Sequence, residues 1–234
     1  MRQIIALGGG GFSMEPNNPL LDRYVLAQAR RDPPRVCFVP TASGDAAGYI
    51  ERFYGSFRAH PCVPTHLSLF QPSFTDLAAF VLEQDVISAG GGNTRNLLAL
   101  WREWGLDQVL RRAWQDGVVL AGLSAGSICS ICWYEEGLSD SSGAGYTTLR
   151  GLGFLPGSHC PHYSNEPGRR DAYRQLIASG ALGGGLAADD GVAFHHIGDA
   201  LAKVVSSRPD AGAYRVSNIG GAVEEPLAPQ LLGA

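Results

Sequence analysis

Short apolar runs alternate with amphipathic ones along the first half of the chain. Residues 3–7, 35–40, 65–69, 85–89 and 118–122 read as strands, most of them nearly continuous in apolar side chains. Between them, residues 20–31 place Leu21, Tyr24, Val25 and Ala27 near the 3.6 period of a helix. Residues 49–59, 77–83, 94–104 and 106–116 are also expected as helices, the last two split at Gly105. Strands apolar on both faces, alternating with helices, predict an α/β fold: a mostly parallel sheet with helices on both faces. Ligands of such sheets gather at the carboxyl ends of the strands. Three glycine-rich strand ends, at 8–11, 90–92 and 122–126, are expected on that one edge.

The second half is less regular. Residues 146–153, 158–163, 191–196 and 200–205 are strand-like, and 167–179 read as a helix. Residues 213–223 suggest two short strands broken at Ser217-Asn218, and 225–234 a weakly ordered tail. No linker or repeat interrupts the pattern, so one domain over 1–234 is expected.

Composition narrows the class. The 234 residues are 45% hydrophobic with net charge −4, which fits a globular protein and lacks the basic footprint of a nucleic-acid binder. No secretory signal or membrane-length apolar run is seen, so a cytoplasmic protein without a membrane partner is expected. Five scattered cysteines, including the Cys129-x-x-Cys132 pair, read as small buried hydrophobes in a reducing compartment. No cofactor or metal is expected.

The most specific chemistry lies at Gly122-Leu123-Ser124-Ala125-Gly126. It follows the apolar run 118–121 and leads into residues 127–133, small and apolar enough for a buried helix. A G-x-S-x-G turn between strand and helix forces its central residue into a strained conformation and pushes the hydroxyl outward. The helix starting at Ala125 would aim free N–H groups at the same spot. A glycine-rich turn with an incidental serine has the same pattern, so the serine needs partners.

Its base must come from His60, His66, His159, His162, His195 or His196. His162 precedes the polar loop Ser164-Asn165-Glu166-Pro167-Gly168, a suitable place at an active-site edge. His195 and His196 are adjacent in a strand-like run and must point to opposite faces. A carboxylate to orient the base is offered by Asp189 or Asp190, which interrupt an apolar stretch and equally suit a plain turn before Gly191.

Taken in order, Val39-Pro40-Thr41-Ala42-Ser43, Gly90-Gly91-Gly92-Asn93-Thr94, Gly122-Leu123-Ser124-Ala125-Gly126-Ser127, Pro161-His162-Tyr163 and Asp189-Asp190-Gly191 resemble the peptidase E (aspartyl dipeptidase) and cyanophycinase family of serine peptidases. The resemblance covers about residues 3–205. It implies a fold similar to class I glutamine amidotransferases, with serine at the elbow. It implies Ser124 as nucleophile, His162 as base and Asp190 as acid, with Asp189 the neighbouring alternative. The chain order Ser, His, Asp differs from the Ser, acid, His order of α/β-hydrolases. The implied oxyanion donors are the N–H groups of Ala125 and of a glycine in 90–92, here taken as Gly91. Asn93, beside that loop, is expected to contact substrate.

The resemblance also implies an arginine for an acidic substrate side chain, and Arg169 stands at the matching place, followed by Arg170 and Arg174. A guanidinium suits a carboxylate, whether side chain or peptide terminus. A solvated helix face would show the same residues. The 165–168 loop is shorter than in aspartyl dipeptidases, so strict Asp-X specificity is not implied. The expected activity is a serine exopeptidase acting on short peptides, with a homodimer as a compatible state. A binding protein keeping the fold is the alternative. Cys160 lacks elbow glycines, His159-Cys160-His162 is too tight for a tetrahedral ion, and Gly8 to Gly11 breaks the G-x-G-x-x-G register.

Overall fold

The computed structural model describes residues 1–127, 134–140, 143 and 145–233. Its first half follows the alternation in the sequence: β1 (Gln3–Leu7), α1 (Gly11–Met14), α2 (Leu20–Leu26), β2 (Arg35–Val39), α3 (Ala47–Phe57), β3 (Val63–His66), α4 (Leu77–Leu82), β4 (Val86–Ala89), α5 (Thr94–Glu103), α6 (Leu106–Asp116) and β5 (Val119–Leu123). Helices α5 and α6 are separated by Gly105 in the left-handed region, as expected. The second half contributes β6 (Tyr134–Ser139), β7 (Thr147–Arg150), β8 (Leu155–Cys160), α7 (Arg169–Ala178), β9 (Gly185–Ala188), β10 (Val192–Ile197), β11 (Ala200–Ser206), β12 (Ala213–Asn218), β13 (Ala222–Leu227) and β14 (Gln230–Leu231).

Among the described residues these strands form two mixed sheets. The larger runs β14-β11-β10-β1-β5-β4-β2-β3. Its β1, β5, β4, β2 and β3 are mutually parallel, whereas β10 pairs antiparallel with both β1 and β11. The period of two along each strand divides the core. Ile4, Ala6, Cys37, Val39, Ile87, Ala89 and Leu120 pack toward α4, α5 and α6. Ile5, Leu7, Val36, Phe38, Val86, Val119, Ala121 and Leu123 pack toward α1, α2 and α3. Helices therefore cover both faces.

The expectation of one mostly parallel sheet needs correction, because the irregular second half builds a sheet of its own, ordered β13-β12-β9-β8-β6-β7. One face gives Tyr134, Leu155, Leu186 and Ala213 to the larger sheet's core, and the other packs Cys160, Tyr163 and Val216 against Tyr173 and Ile177 of α7. The apolar pattern does not predict strands β6 and β9, since two glutamates and a glycine interrupt β6, and β9 is only Gly-Leu-Ala-Ala with its partners β8 and β12 well separated in the chain. The tail is also corrected. Residues 225–227 belong to β13, β14 pairs parallel with β11, and Leu232 packs on the α2–α3 side. The break expected at 217–218 falls at 219–221, where Asn218 Oδ1 accepts from Gly221 N. Helix α2 ends five residues early because Gln28 and Ala29 turn into i−3 hydrogen bonds. The helix expected over 127–133 lies, beyond Ser127, outside the described residues, as do Cys129 and Cys132. No helix among the described residues is long and apolar enough to cross a membrane.

Candidate active site

Strand order brings the three glycine-rich ends together: β5, which ends at the elbow, lies between β1 and β4. Leu7 pairs with Leu123, so Gly8 emerges beside Ser124. On the other side Ala89 pairs with Gly122, and Gly91 comes against the serine. The chain after β5 turns into a single 3₁₀ turn, Ser124–Gly126, with Ser124 at φ 51°. The flanking glycines are required by contact. A Cβ on Gly122 would lie 2.2 Å from Gly126 O, and one on Gly126 would lie 2.3 Å from Ala89 O. The elbow therefore folds back on its own strand and its neighbour only without side chains there.

His162 lies just beyond β8, also in the left-handed region at φ 52°, and its N–H donates to Gly8 O. Asp190 sits in the turn between β9 and β10, which is held to the same glycine segment by Gly191 N donating to Gly9 O. His162 Nδ1 lies 2.5 Å from Asp190 Oδ1, with both side chains buried. Since a carboxylate only accepts, Nδ1 carries the proton and Nε2 is the free basic nitrogen. Both partners rest on Gly9. A Cβ there would lie 2.1 Å from Asp190 Oδ1 and 2.9 Å from His162 Cε1. Asn165 Oδ1 accepts from Asp190 N, tying the loop after the histidine to the acid. Gly9 and Asn165 escaped the sequence reading. The one lay in a glycine-rich strand end expected on the ligand edge but given no role of its own, the other in a polar loop.

Among the described residues no hydrogen bond joins Ser124 Oγ to His162; the link between them is the glycine segment, where Gly8 follows the strand paired with the elbow strand and accepts from His162 N. Asp189 is used structurally, accepting from Ser164 N (2.8 Å) and Gly212 N (2.9 Å). Each other histidine is engaged elsewhere. His66 bonds Tyr54, His195 bonds Tyr24 and Gln3, and His196 on the opposite face bonds Tyr134. His60 packs on Phe57, and His159 is buried on Tyr134 with Nδ1 donating to Leu186 O. Burial pushes His159 down to about 3 and Cys160 up to about 12, so the first is a neutral ring and the second an unreactive thiol. Among the described residues no group of three or more His, Cys, Asp or Glu is arranged to hold a metal ion.

The remaining predicted residues surround the elbow. Gly91 touches Ser124 through its Cα, where a Cβ would lie 3.1 Å from Ser124 Cβ, while its N–H donates to Tyr49 Oη at 3.3 Å. Ala125, at the start of the 3₁₀ turn, is buried beside the serine. Asn93 caps α5, its Oδ1 accepting from Asn96 N at 3.0 Å. Arg169 is only 2% exposed. Its Nε and Nη2 donate to Glu166 Oε2 at 2.6 and 2.5 Å, and it stacks on Tyr146. Arg170 and Arg174 both pair with Glu224.

Known proteins resemble this chain in sequence and in fold. The family model "Peptidase family S51" matches residues 4–204. A Bacillus subtilis (strain 168) protein named "Uncharacterized peptidase YgaJ" is 58% identical over 234 residues, covering 100% of both chains. Two solved structures share the fold at 17% identity. One is a peptidase from an acI-B1 actinobacterium, with TM-score 0.70 over 97% of this chain and 94% of that one. The other is a putative peptidase E from Listeria monocytogenes EGD-e, with TM-score 0.61 over 89% of this chain and 98% of that one. The matched segment spans every motif from β1 through Asp190, and the chain belongs to peptidase family S51.

Proposed function

We infer that the protein is a serine exopeptidase that hydrolyses short peptides, with Ser124 as nucleophile, His162 as general base and Asp190 as the group that orients it. The observation that carries this reading is the 2.5 Å His162–Asp190 pair, set on the glycine segment that runs beside the Ser124 elbow. Ser124 Oγ attacks the peptide carbonyl while His162 Nε2 takes its proton, and Asp190 steadies the imidazolium. His162 then returns the proton to the leaving amine. Water, deprotonated by the same nitrogen, releases the acyl group. Ala125 N–H and an N–H of the 90–92 loop receive the negative charge of the tetrahedral intermediate. We read the larger sheet, with its elbow on a central parallel strand, as amidotransferase-like.

For the substrate we propose short peptides without a strict acidic requirement. Arg169, the residue implied for an acidic side chain, already holds Glu166, and the two arginines that follow both pair with Glu224. We place the reaction in a reducing, cytoplasmic setting, which the free thiols of Cys37, Cys62 and Cys160 support. A peptide-library digest read by mass spectrometry tests the activity. Wild type should release terminal residues or dipeptides from short peptides and the Ser124→Ala protein should not. Equal digestion by both, or by neither, contradicts the reading.

A further inference from the structure

We propose that Tyr49 is a positioning residue for this hydrolysis: its hydroxyl takes the N–H of Gly91 and leaves the N–H of Gly92 as the donor that the 90–92 loop offers at Ser124. The inference rests on the Ser124 reading above and assigns a role to a residue outside the triad and the glycine motifs.

Tyr49 stands on α3 and is 6% exposed. Its ring is fixed between Phe12 and Phe38, with centroids 5.6 and 4.9 Å away, and Arg52 lies over it. Gly90 rests on that ring, since a Cβ there would lie 3.1 Å from Tyr49 Cε1 and 2.9 Å from the Phe38 ring. The next residue donates its N–H to Tyr49 Oη at 3.3 Å. Peptide planes are rigid, so this bond sets the orientation of the Gly90–Gly91 plane. Gly91 therefore meets the serine with its Cα and turns its donor toward the phenol.

The Gly92–Asn93 plane is fixed from the opposite side, so the Gly91–Gly92 plane that carries the Gly92 N–H spans two held neighbours. Asn93 N donates to Ala42 O at 2.7 Å. Gly92, at φ 137°, passes so close that a Cβ would lie 2.3 Å from the same oxygen. Thus the Val39-to-Ser43 motif and Tyr49 clamp the loop from two sides. Among the described residues the Gly92 N–H has no hydrogen-bond partner. A donor held still before reaction, with no bond to give up, is what stabilises a developing oxyanion.

The test uses Tyr49→Phe, which keeps the ring and removes the acceptor. Rates are normalised to sites titrated with a fluorophosphonate, so loss of folded protein does not mimic the effect. We expect kcat to fall about tenfold, less than deletion of a whole oxyanion donor, with KM changed less than twofold. Affinity for a peptide boronate, which mimics the tetrahedral adduct, should fall by a similar factor, whereas affinity for the product peptide should not change. Arg52→Met, which strips the neighbouring charge and leaves the hydroxyl, should keep wild-type kcat. Unchanged kcat and boronate affinity in Tyr49→Phe overturn the proposal. Amide spectra of wild type provide a measurement independent of any variant. On boronate binding the Gly92 amide proton should move far downfield and that of Gly91 little, and the reverse pattern also overturns it. A wild type that neither hydrolyses peptide nor reacts with the fluorophosphonate refutes the underlying hydrolase reading, and this inference with it.

Discussion

Ser124 and His162 adopt almost the same unusual backbone conformation, at φ 51° and 52°. Among the described non-glycine residues only Asp45 joins them in the left-handed region. Asp45 has a local reason, since its Oδ2 gathers Ser68 Oγ, Leu69 N and Phe70 N. The other two sit at the ends of β5 and β8, on either side of the Gly8–Gly9 segment. Such conformations cost on the order of 1–3 kcal/mol each and persist where the surroundings fix them. Here glycine contacts and the Gly8 hydrogen bond do so, and the result aims both side chains at one edge.

If Asp190 fixes the His162 tautomer, Asp190→Asn should disable catalysis while leaving the fold intact. The amide can donate to Nδ1 and leave the proton on Nε2. We expect kcat to drop by about 10⁴. Steady-state kinetics with a short peptide, beside an unchanged circular dichroism spectrum, checks this. Asp189→Asn should act differently, weakening the hydrogen bonds to Ser164 and Gly212 and lowering Tm more than kcat.

Gly9→Ala probes the floor of the pair. A methyl 2.1 Å from Asp190 Oδ1 must push the acid, the histidine or the glycine segment away. Since a misplacement of about 1 Å costs about 10²-fold in rate, kcat should fall at least that far. Gly55→Ala on α3, where a Cβ meets open space, is the matched control and should be silent.

Freeing Arg169 should change what the enzyme prefers. Glu166→Gln removes the carboxylate that occupies the guanidinium, while keeping the size of the side chain. The ratio of kcat/KM for an acidic over a neutral peptide of equal length should rise about tenfold, as one charge-assisted contact becomes available to substrate. An unchanged ratio would separate Arg169 from substrate recognition.

Stability should respond to pH in two opposite senses, through groups outside the triad. Burial pushes His159 down to about 3 and His195 and His196 down to about 4, so the folded protein holds all three neutral. Their contribution is fully present above about pH 6.5 and is lost as pH falls toward 4. Asp22 runs the other way. Burial on α2, with Oδ2 unpartnered, raises it to about 7, so its contribution is present below pH 3.8 and lost as pH rises through about 7. Asp22→Asn should therefore raise Tm more at pH 8 than at pH 5, as read by calorimetry.

Much of this was legible in the chain. The strands β1, β2, β4 and β5 announce themselves because they are apolar on both faces, and β1, β4 and β5 also run into glycine. The elbow and the Gly90–Gly92 block are legible for the same steric reason the structure displays. The second sheet was not. Strand β6 carries glutamates and a glycine, and β9 is a short Gly-Leu-Ala-Ala run whose pairing partners β8 and β12 lie far away in sequence. Nor could periodicity find Gly9, whose importance is that two side chains more than 150 residues later come to rest on it. Tyr49 was hidden among the apolar positions of an amphipathic helix, where only its hydroxyl distinguishes it from Phe53.

Everything chemical here depends on Ser124 being the group that becomes acylated. The direct measurement is reaction with a fluorophosphonate followed by peptide mapping, on wild type, Ser124→Ala and His162→Ala. The account predicts one adduct per chain on Ser124 in wild type, none in Ser124→Ala, and a labelling rate strongly reduced in His162→Ala. An adduct on another residue, or equal labelling of wild type and Ser124→Ala, would contradict it.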